Sequence, residues 1–149
     1  PIENVVIFDE AQRAWNQPKM EKMDARRRKY NETIRTDHPD DQVFSEPKTL
    51  LNIMSRREGG AVIVALCGNG QEIHDGESGI EEWVRASSEV DGWTITCSPH
   101  VDFSSLDSSI VERVSVDPDL HLDIPLRSHR AEAHSTWANA LLSGTSSLA

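Results

Sequence analysis

The sequence predicts an α/β fold, a mainly parallel sheet flanked by helices. Three observations carry this reading. Two unbroken apolar runs, Val5-Val6-Ile7-Phe8 and Ala61-Val62-Ile63-Val64-Ala65-Leu66, are rich in β-branched residues and suit strands buried on both faces of a parallel sheet. Segments with helical apolar spacing alternate with the candidate strands. The first two strands end in the chemistry-bearing loops Asp9-Glu10 and Cys67-Gly68-Asn69-Gly70-Gln71-Glu72, and in open α/β sheets ligands bind outside the carboxyl ends of the strands.

Taken in order, the first strand is followed by a polar stretch with a helix expected near Pro18–Asn31. A loop broken by Pro39 comes next. Ser45-Glu46-Pro47 opens a second helix, with Pro47 in its first turn, Leu50, Leu51 and Met54 as its apolar face, and Gly59-Gly60 as its stop. After the second strand, Ser78-Gly79-Ile80-Glu81 has the form of a capping box, and Ile80, Trp83 and Val84 form the buried face of the helix it starts. Trp93-Thr94-Ile95-Thr96-Cys97 is a third strand. Phe103, Leu106, Ile110 and Val114 have helical spacing, and Leu120, Leu122 and Ile124 alternate as a fourth strand. Ser128 caps a last helix that turns Ala133, Trp137 and Leu141 inward and stops at Gly144. Residues 1–143 form the expected domain, and residues 144–149 are a flexible Ser/Thr/Gly-containing tail.

At 149 residues the chain is about one domain long. A formal charge of −10 argues against nucleic-acid binding over the whole surface but leaves room for a local basic patch. Arg26-Arg27-Arg28-Lys29 is the dense basic cluster, read either as a nucleic-acid contact or as a solvated helix face beside Glu21, Asp24 and Glu32. No apolar stretch approaches the ~20 residues that span a bilayer, so no membrane partner is expected. Two isolated cysteines, Cys67 and Cys97, suit a reducing compartment, and a cytoplasmic location follows. The six histidines show no metal-ligand spacing. The four tryptophans have faces fit for base stacking, but Trp83, Trp93 and Trp137 lie on apolar faces and are expected in the core.

Asp9-Glu10 is either a surface acidic pair at a strand end or a nucleotide-hydrolase pair, in which Asp9 holds Mg²⁺ and Glu10 accepts a proton from the attacking water. Gly68 and Gly70 let backbone approach a ligand closely, and Gln71 can orient a water without adding charge. The alternative is a plain glycine-rich turn. Arg127 and Arg130, in Ile124-Pro125-Leu126-Arg127-Ser128-His129-Arg130, sit at a helix start, where cations are electrostatically disfavoured unless an anion joins them.

The segments Val5-Val6-Ile7-Phe8-Asp9-Glu10-Ala11-Gln12-Arg13-Ala14-Trp15, Ala61 to Trp83 with Gly70-Gln71-Glu72-Ile73 inside it, and Leu126-Arg127-Ser128-His129-Arg130-Ala131-Glu132 resemble, in that order, successive blocks of the schlafen group 3-like DNA/RNA helicase domain family. The resemblance implies a partial RecA-like P-loop ATPase core running from Walker B (motif II) through motif III to motif IV. It implies ATP and Mg²⁺ as cofactors and DNA or RNA as partner. Asp9 takes the metal, with Glu10, Gln71 and Arg127 as catalytic residues. Gln12, Gly68, Gly70 and Arg130 serve nucleotide binding. Gly68-Asn69 departs from the usual Gly-Asp of motif III, and Asn69 cannot replace a carboxylate's charge.

The phosphate-binding signature Gly-x-x-x-x-Gly-Lys-[Ser/Thr] is not in these residues. A chain that starts at Pro1 and enters a strand almost at once reads as a fragment, with that loop expected upstream. Weak or no ATP binding by the fragment alone is expected, as is self-association through exposed sheet edges. Two further readings are a non-hydrolysing nucleic-acid or protein binding module, and a metal-dependent nuclease using Asp9, Glu10, Asp75 and Glu77. The nuclease is disfavoured because neighbours in a strand start on opposite faces.

Overall fold

The computed structural model describes residues 3–30, 42–68, 77, 79–122, 137 and 140–141, with side chains omitted at 28–30. The elements are β1 (Val5–Phe8), a single 3₁₀ turn (Ala11–Arg13), α1 (Gln17–Tyr30), α2 (Glu46–Met54), β2 (Val62–Ala65), α3 (Gly79–Glu89), β3 (Ile95–Cys97), α4 (Ser108–Val111), β4 (Val114–Val116) and a second 3₁₀ turn (Pro118–Leu120).

Both strand pairs are parallel, so the α/β class holds. β1 pairs with β2 from Val5↔Val62 to Phe8↔Ala65. The ladder continues past the strands: Leu66 N–H donates to the Phe8 carbonyl at 2.9 Å, and Ala11 N–H donates to the Leu66 carbonyl at 2.8 Å. β3 pairs with β4 from Ile95↔Val114 to Cys97↔Val116. Among the described residues these are separate two-stranded sheets.

The helices follow their local signals. α1 lies within a residue of its expected bounds. Ser45, itself buried, caps α2 by accepting from Lys48 N–H at 3.4 Å, and Pro47 occupies the first turn. Leu51 and Met54 are buried on its inner face. Beyond Arg57 the chain turns through Gly59 and Gly60, whose φ values of +88° and +89° disfavour any residue with a Cβ. α3 buries Trp83 and Val84 as its spacing requires.

The core gathers where α3 crosses the end of the first sheet. Ala11, Ala14 and Trp83 are buried together, with Phe8, Leu50 and Ile63 packed around them. The Trp83 ring meets Phe8 edge-on at 5.1 Å between centroids, and its indole Nε1–H donates to the Ala11 carbonyl at 2.8 Å. A buried tryptophan requires such a partner for its N–H.

Four expectations are corrected. The first two strands are not buried on both faces: Val5 (56% exposed), Ile7 (67%), Val62 and Val64 face outward, while Val6, Ile63 and Phe8 turn inward. No layer among the described residues covers that outer face. The helix expected from Phe103 to Val114 is only α4, because Asp107 caps a short turn and the β-branched pair Val114 and Val116 joins β3 instead. Asp107 Oδ1 accepts from the Ser109 N–H at 2.9 Å and its hydroxyl at 2.6 Å, and these bonds hold the Asp107 carboxyl below its usual range. The strand expected at Leu120, Leu122 and Ile124 is absent over the described part. Pro118 has no N–H for a ladder, Asp117 caps a 3₁₀ turn, and Leu122 is 81% exposed. Trp137 (59% exposed) and Leu141 are helical but do not point inward. Trp93 precedes β3 and is half-buried, donating its Nε1–H to Ser55 Oγ at 2.8 Å. Ile124, Ala133, Gly144 and the tail 144–149 lie outside the described residues.

The Trp83 contact yields a stability test. Trp83→Phe keeps an aromatic ring against Phe8 but removes the shorter of the two bonds to the Ala11 carbonyl, leaving it the Ala14 N–H at 3.3 Å. A loss of about 1–3 kcal/mol is expected from the shift in urea midpoint.

Candidate functional site

The site is built on the carboxyl ends of β1 and β2, which the parallel register brings side by side. β1 ends at Phe8, so Asp9 and Glu10 stand in a turn and not in the strand. Their expected placement on opposite strand faces is therefore corrected. Glu10 adopts φ 51° and ψ 46°, the left-handed region, and is the one non-glycine residue with positive φ among the described residues. That conformation costs roughly 1–2 kcal/mol for a residue with a Cβ. Such outliers concentrate at functional sites, where the surroundings hold them.

Two contacts hold this turn. Glu10 N–H donates to Asp9 Oδ1 at 2.9 Å. The Glu10 carboxylate pairs with the Arg13 guanidinium at 2.9 Å, one helical turn on. Both partners are about half exposed, so the ion pair contributes little, roughly 0–1 kcal/mol. Both carboxylates remain open to solvent.

Gln12 differs in kind. It is buried, and its Oε1 accepts the Gly68 N–H at 3.2 Å. This bond ties the loop after β1 to the loop after β2, across 56 residues of sequence. Leaving the buried Gln12 amide oxygen unpaired would cost about 1–3 kcal/mol, so the Gly68 backbone is drawn to the place where it fills that acceptor. Gln12 and Gly68 are thus brought together beside Asp9 and Glu10. Cys67, the residue between β2 and Gly68, is a free thiol whose pKa is pushed up by partial desolvation at the strand end.

Two features escaped the sequence reading. The first is Trp83, whose indole grips the Ala11 carbonyl and so sets the turn carrying Gln12; its signal was a lone tryptophan on a helix face that needs a hydrogen-bond partner. The second is Glu46. Its Oε2 accepts the Trp15 N–H at 3.0 Å while its own N–H donates to the Trp15 carbonyl at 2.9 Å. This clasp pins the chain where it leaves the site, and Glu77 bridges Trp15 from the other side. From sequence Glu46 is only an acid in a helix first turn.

Gly70, Gln71, Arg127 and Arg130 lie outside the described residues, as do Asn69 and Asp75. Among the described residues no three His, Cys, Asp or Glu side chains converge to hold a metal, and no helix is long and apolar enough to cross a membrane.

These features define an α/β protein with paired carboxylates at the shared carboxyl edge of two parallel strands, locked to a neighbouring glycine loop by a buried glutamine. The family model described as Schlafen group 3, DNA/RNA helicase domain matches residues 1–149, and the chain belongs to that family. It is a DNA/RNA helicase-like domain. No curated protein and no solved structure matches it.

The Gln12 lock makes a measurable prediction. Gln12→Leu keeps most of the volume but removes the acceptor for Gly68 N–H. The expected result is a loss of about 1–3 kcal/mol in urea unfolding, with faster hydrogen exchange at the Gly68 amide than elsewhere in the β1–β2 ladder.

Proposed function

We propose that this domain is part of an ATP-dependent, helicase-like P-loop ATPase with a RecA-like core, which uses ATP hydrolysis to remodel DNA or RNA. The observation that carries the reading is the strained, solvent-open Glu10 beside Asp9, set against the Gly68 loop by buried Gln12. Backbone strain of this kind clusters at active sites, where it pre-positions a side chain.

The donor set suits Mg²⁺. This ion takes one or two carboxylates, keeps several waters and uses substrate phosphates for the rest. Asp9 offers an exposed carboxylate with one oxygen steadied by Glu10 N–H, and no closed cage of side chains is present among the described residues. When bound, Mg²⁺ neutralises charge on the phosphates. Asp9 would hold it. Glu10 accepts a proton from the attacking water once its pairing with Arg13 opens. Gln12 couples the two loops, so that a change at Gly68 is felt at Glu10. Gln71, Arg127 and Arg130 are proposed to face the terminal phosphate, with Gly68 and Gly70 admitting it closely. The phosphate-binding loop has to come from residues other than these 149. In that arrangement the outward apolar faces of β1 and β2 are the surfaces on which the rest of the ATPase core is built.

A nuclease built on Asp9, Glu10, Asp75 and Glu77 receives no support here: Glu77 is half-buried and bridged to Trp15.

Two substitutions at one residue separate catalysis from architecture. In the full protein, Glu10→Gln is expected to lower the ATPase rate about 10²–10⁴-fold while leaving nucleotide affinity, measured by calorimetry, within a fewfold. Glu10→Gly relieves the left-handed strain, so its urea midpoint should equal or exceed that of the parent. A Glu10→Gly protein less stable by more than 1 kcal/mol would make Glu10 a structural residue and end the proposal.

A further inference from the structure

The helix α1 has no packing reason for its composition. Its apolar residues do not gather on one side, and a helix polar all round is seldom stabilised by burial. It meets the body at Met20, which faces Phe44, Thr49 and Ile53 across a shallow groove. Within a chain of formal charge −10, this one helix carries six Lys or Arg against two acids.

Three of the cations share one face, while Arg27 and Arg28 fall by position on the half that carries Glu21 and Asp24. At about 100° per residue, Lys19, Lys22 and Arg26 fall within one narrow stripe, and the register continues it to Lys29. The stripe points roughly 140° away from Met20. Glu21 and Asp24 project from the opposite half of the helix, and Glu21 accepts a bond from Gln17 Nε2 at 3.0 Å. A helix stabilised by its own ion pairs interleaves opposite charges at i, i+4. On the stripe, Lys19–Lys22 and Lys22–Arg26 are like-charged neighbours, each destabilising by a few tenths of a kcal/mol. The helix dipole favours cations only near the last turn, so it does not account for Lys19 or Lys22. Lys22 and Arg26 are exposed, and no carboxylate among the described residues pairs with them.

We propose that α1 is a nucleic-acid contact, in which Lys19, Lys22 and Arg26 lie along the phosphate backbone of one strand. The stripe from Lys19 to Arg26 is about 10 Å long at 1.5 Å rise per residue. Its cations contact phosphate and no base edge, so affinity without sequence preference follows. The position relates the polymer to the site: α1 begins two residues after Trp15, its first turn is capped by Asn16 Oδ1 accepting from Lys19 N–H at 3.0 Å, and the Trp15–Glu46 clasp anchors its base beside the Gln12 turn. The inference rests on the nucleic-acid partner proposed above and assigns that partner to a surface.

The test uses the full protein and 20-nucleotide fluorescent single strands, one of DNA and one of RNA, with anisotropy measured across a KCl series. Lys22→Gln/Arg26→Gln is expected to weaken binding at least tenfold at low salt. It should also reduce the slope of log K against log [salt] by about 1.4, at roughly 0.7 per lost single-strand phosphate contact. Lys22→Arg/Arg26→Lys, which keeps the charge, should retain both, and Glu21→Gln/Asp24→Asn on the opposite face should not weaken binding. Unchanged affinity and slope in the Gln variant overturn this inference while leaving the ATPase reading standing, since basal ATPase activity is measured separately. A wild-type protein that binds neither strand overturns the nucleic-acid partner and this inference together. Loss of binding to phosphatidylserine vesicles in the Gln variant, with nucleic-acid binding intact, assigns the stripe to a membrane surface and also overturns it.

Discussion

The backbone of Ala11 is held at both its N–H and its carbonyl. Its N–H extends the β1–β2 ladder onto the Leu66 carbonyl, and its carbonyl receives the Trp83 indole, each at 2.8 Å. Everything at the candidate site follows from this grip. The chain leaves β1 through a tight turn in which Glu10 holds the left-handed conformation immediately before this anchor. It then starts the 3₁₀ turn that buries Gln12 and Ala14. Because Trp83 belongs to α3 and Leu66 follows β2, the turn is referenced to two distant segments at once.

That arrangement explains how an exposed acidic pair can be positioned by buried groups. Asp9 and Glu10 make only local contacts themselves, with each other and with Arg13. Their placement comes from beneath, through Ala11, Gln12 and Trp83, where low solvent access makes unpaired polar groups costly. The carboxylates are thus left free for a ligand, and the backbone strain at Glu10 is offset by the core. Trp15 and Glu46 repeat the logic one turn later, carrying the same frame to the base of α1.

The outer face of the first sheet shows how much the composition of a strand can mislead about burial. Val5, Ile7, Val62 and Val64 are as apolar as their inward neighbours. A continuous apolar run is the signature of a parallel strand covered on both sides, yet only one side is covered among the described residues. Run composition reports what a strand is suited to, whereas exposure depends on which layers are present.

Local signals were legible wherever short-range chemistry decides. Ser45 and Pro47 started α2, although it ends at Met54, before the glycine pair expected to stop it; the spacing of Trp83 and Val84 set the buried face of α3, and both leading strands lie where their apolar runs stand. The acidic pair was legible as a candidate site because strand ends and ligand crevices coincide in parallel sheets. Position 114 was misread because Val114 suits either the helical spacing or a strand, and only pairing with Ile95 decided it. Leu120 and Leu122 alternated like a strand, but a ladder needs a partner, and Pro118 with the Asp117 cap turned the chain first. The amino-acid order by itself therefore determined where α1, α2, α3 and the first two strands form and where charge gathers, since capping, spacing and β-branching act within a few residues. Only the tertiary structure decided that Gln12 reads Gly68, that Trp83 holds Ala11 and that Glu46 clasps Trp15, because each joins segments dozens of residues apart, and a sequence carries no local mark of which distant carbonyl or amide a buried side chain will meet.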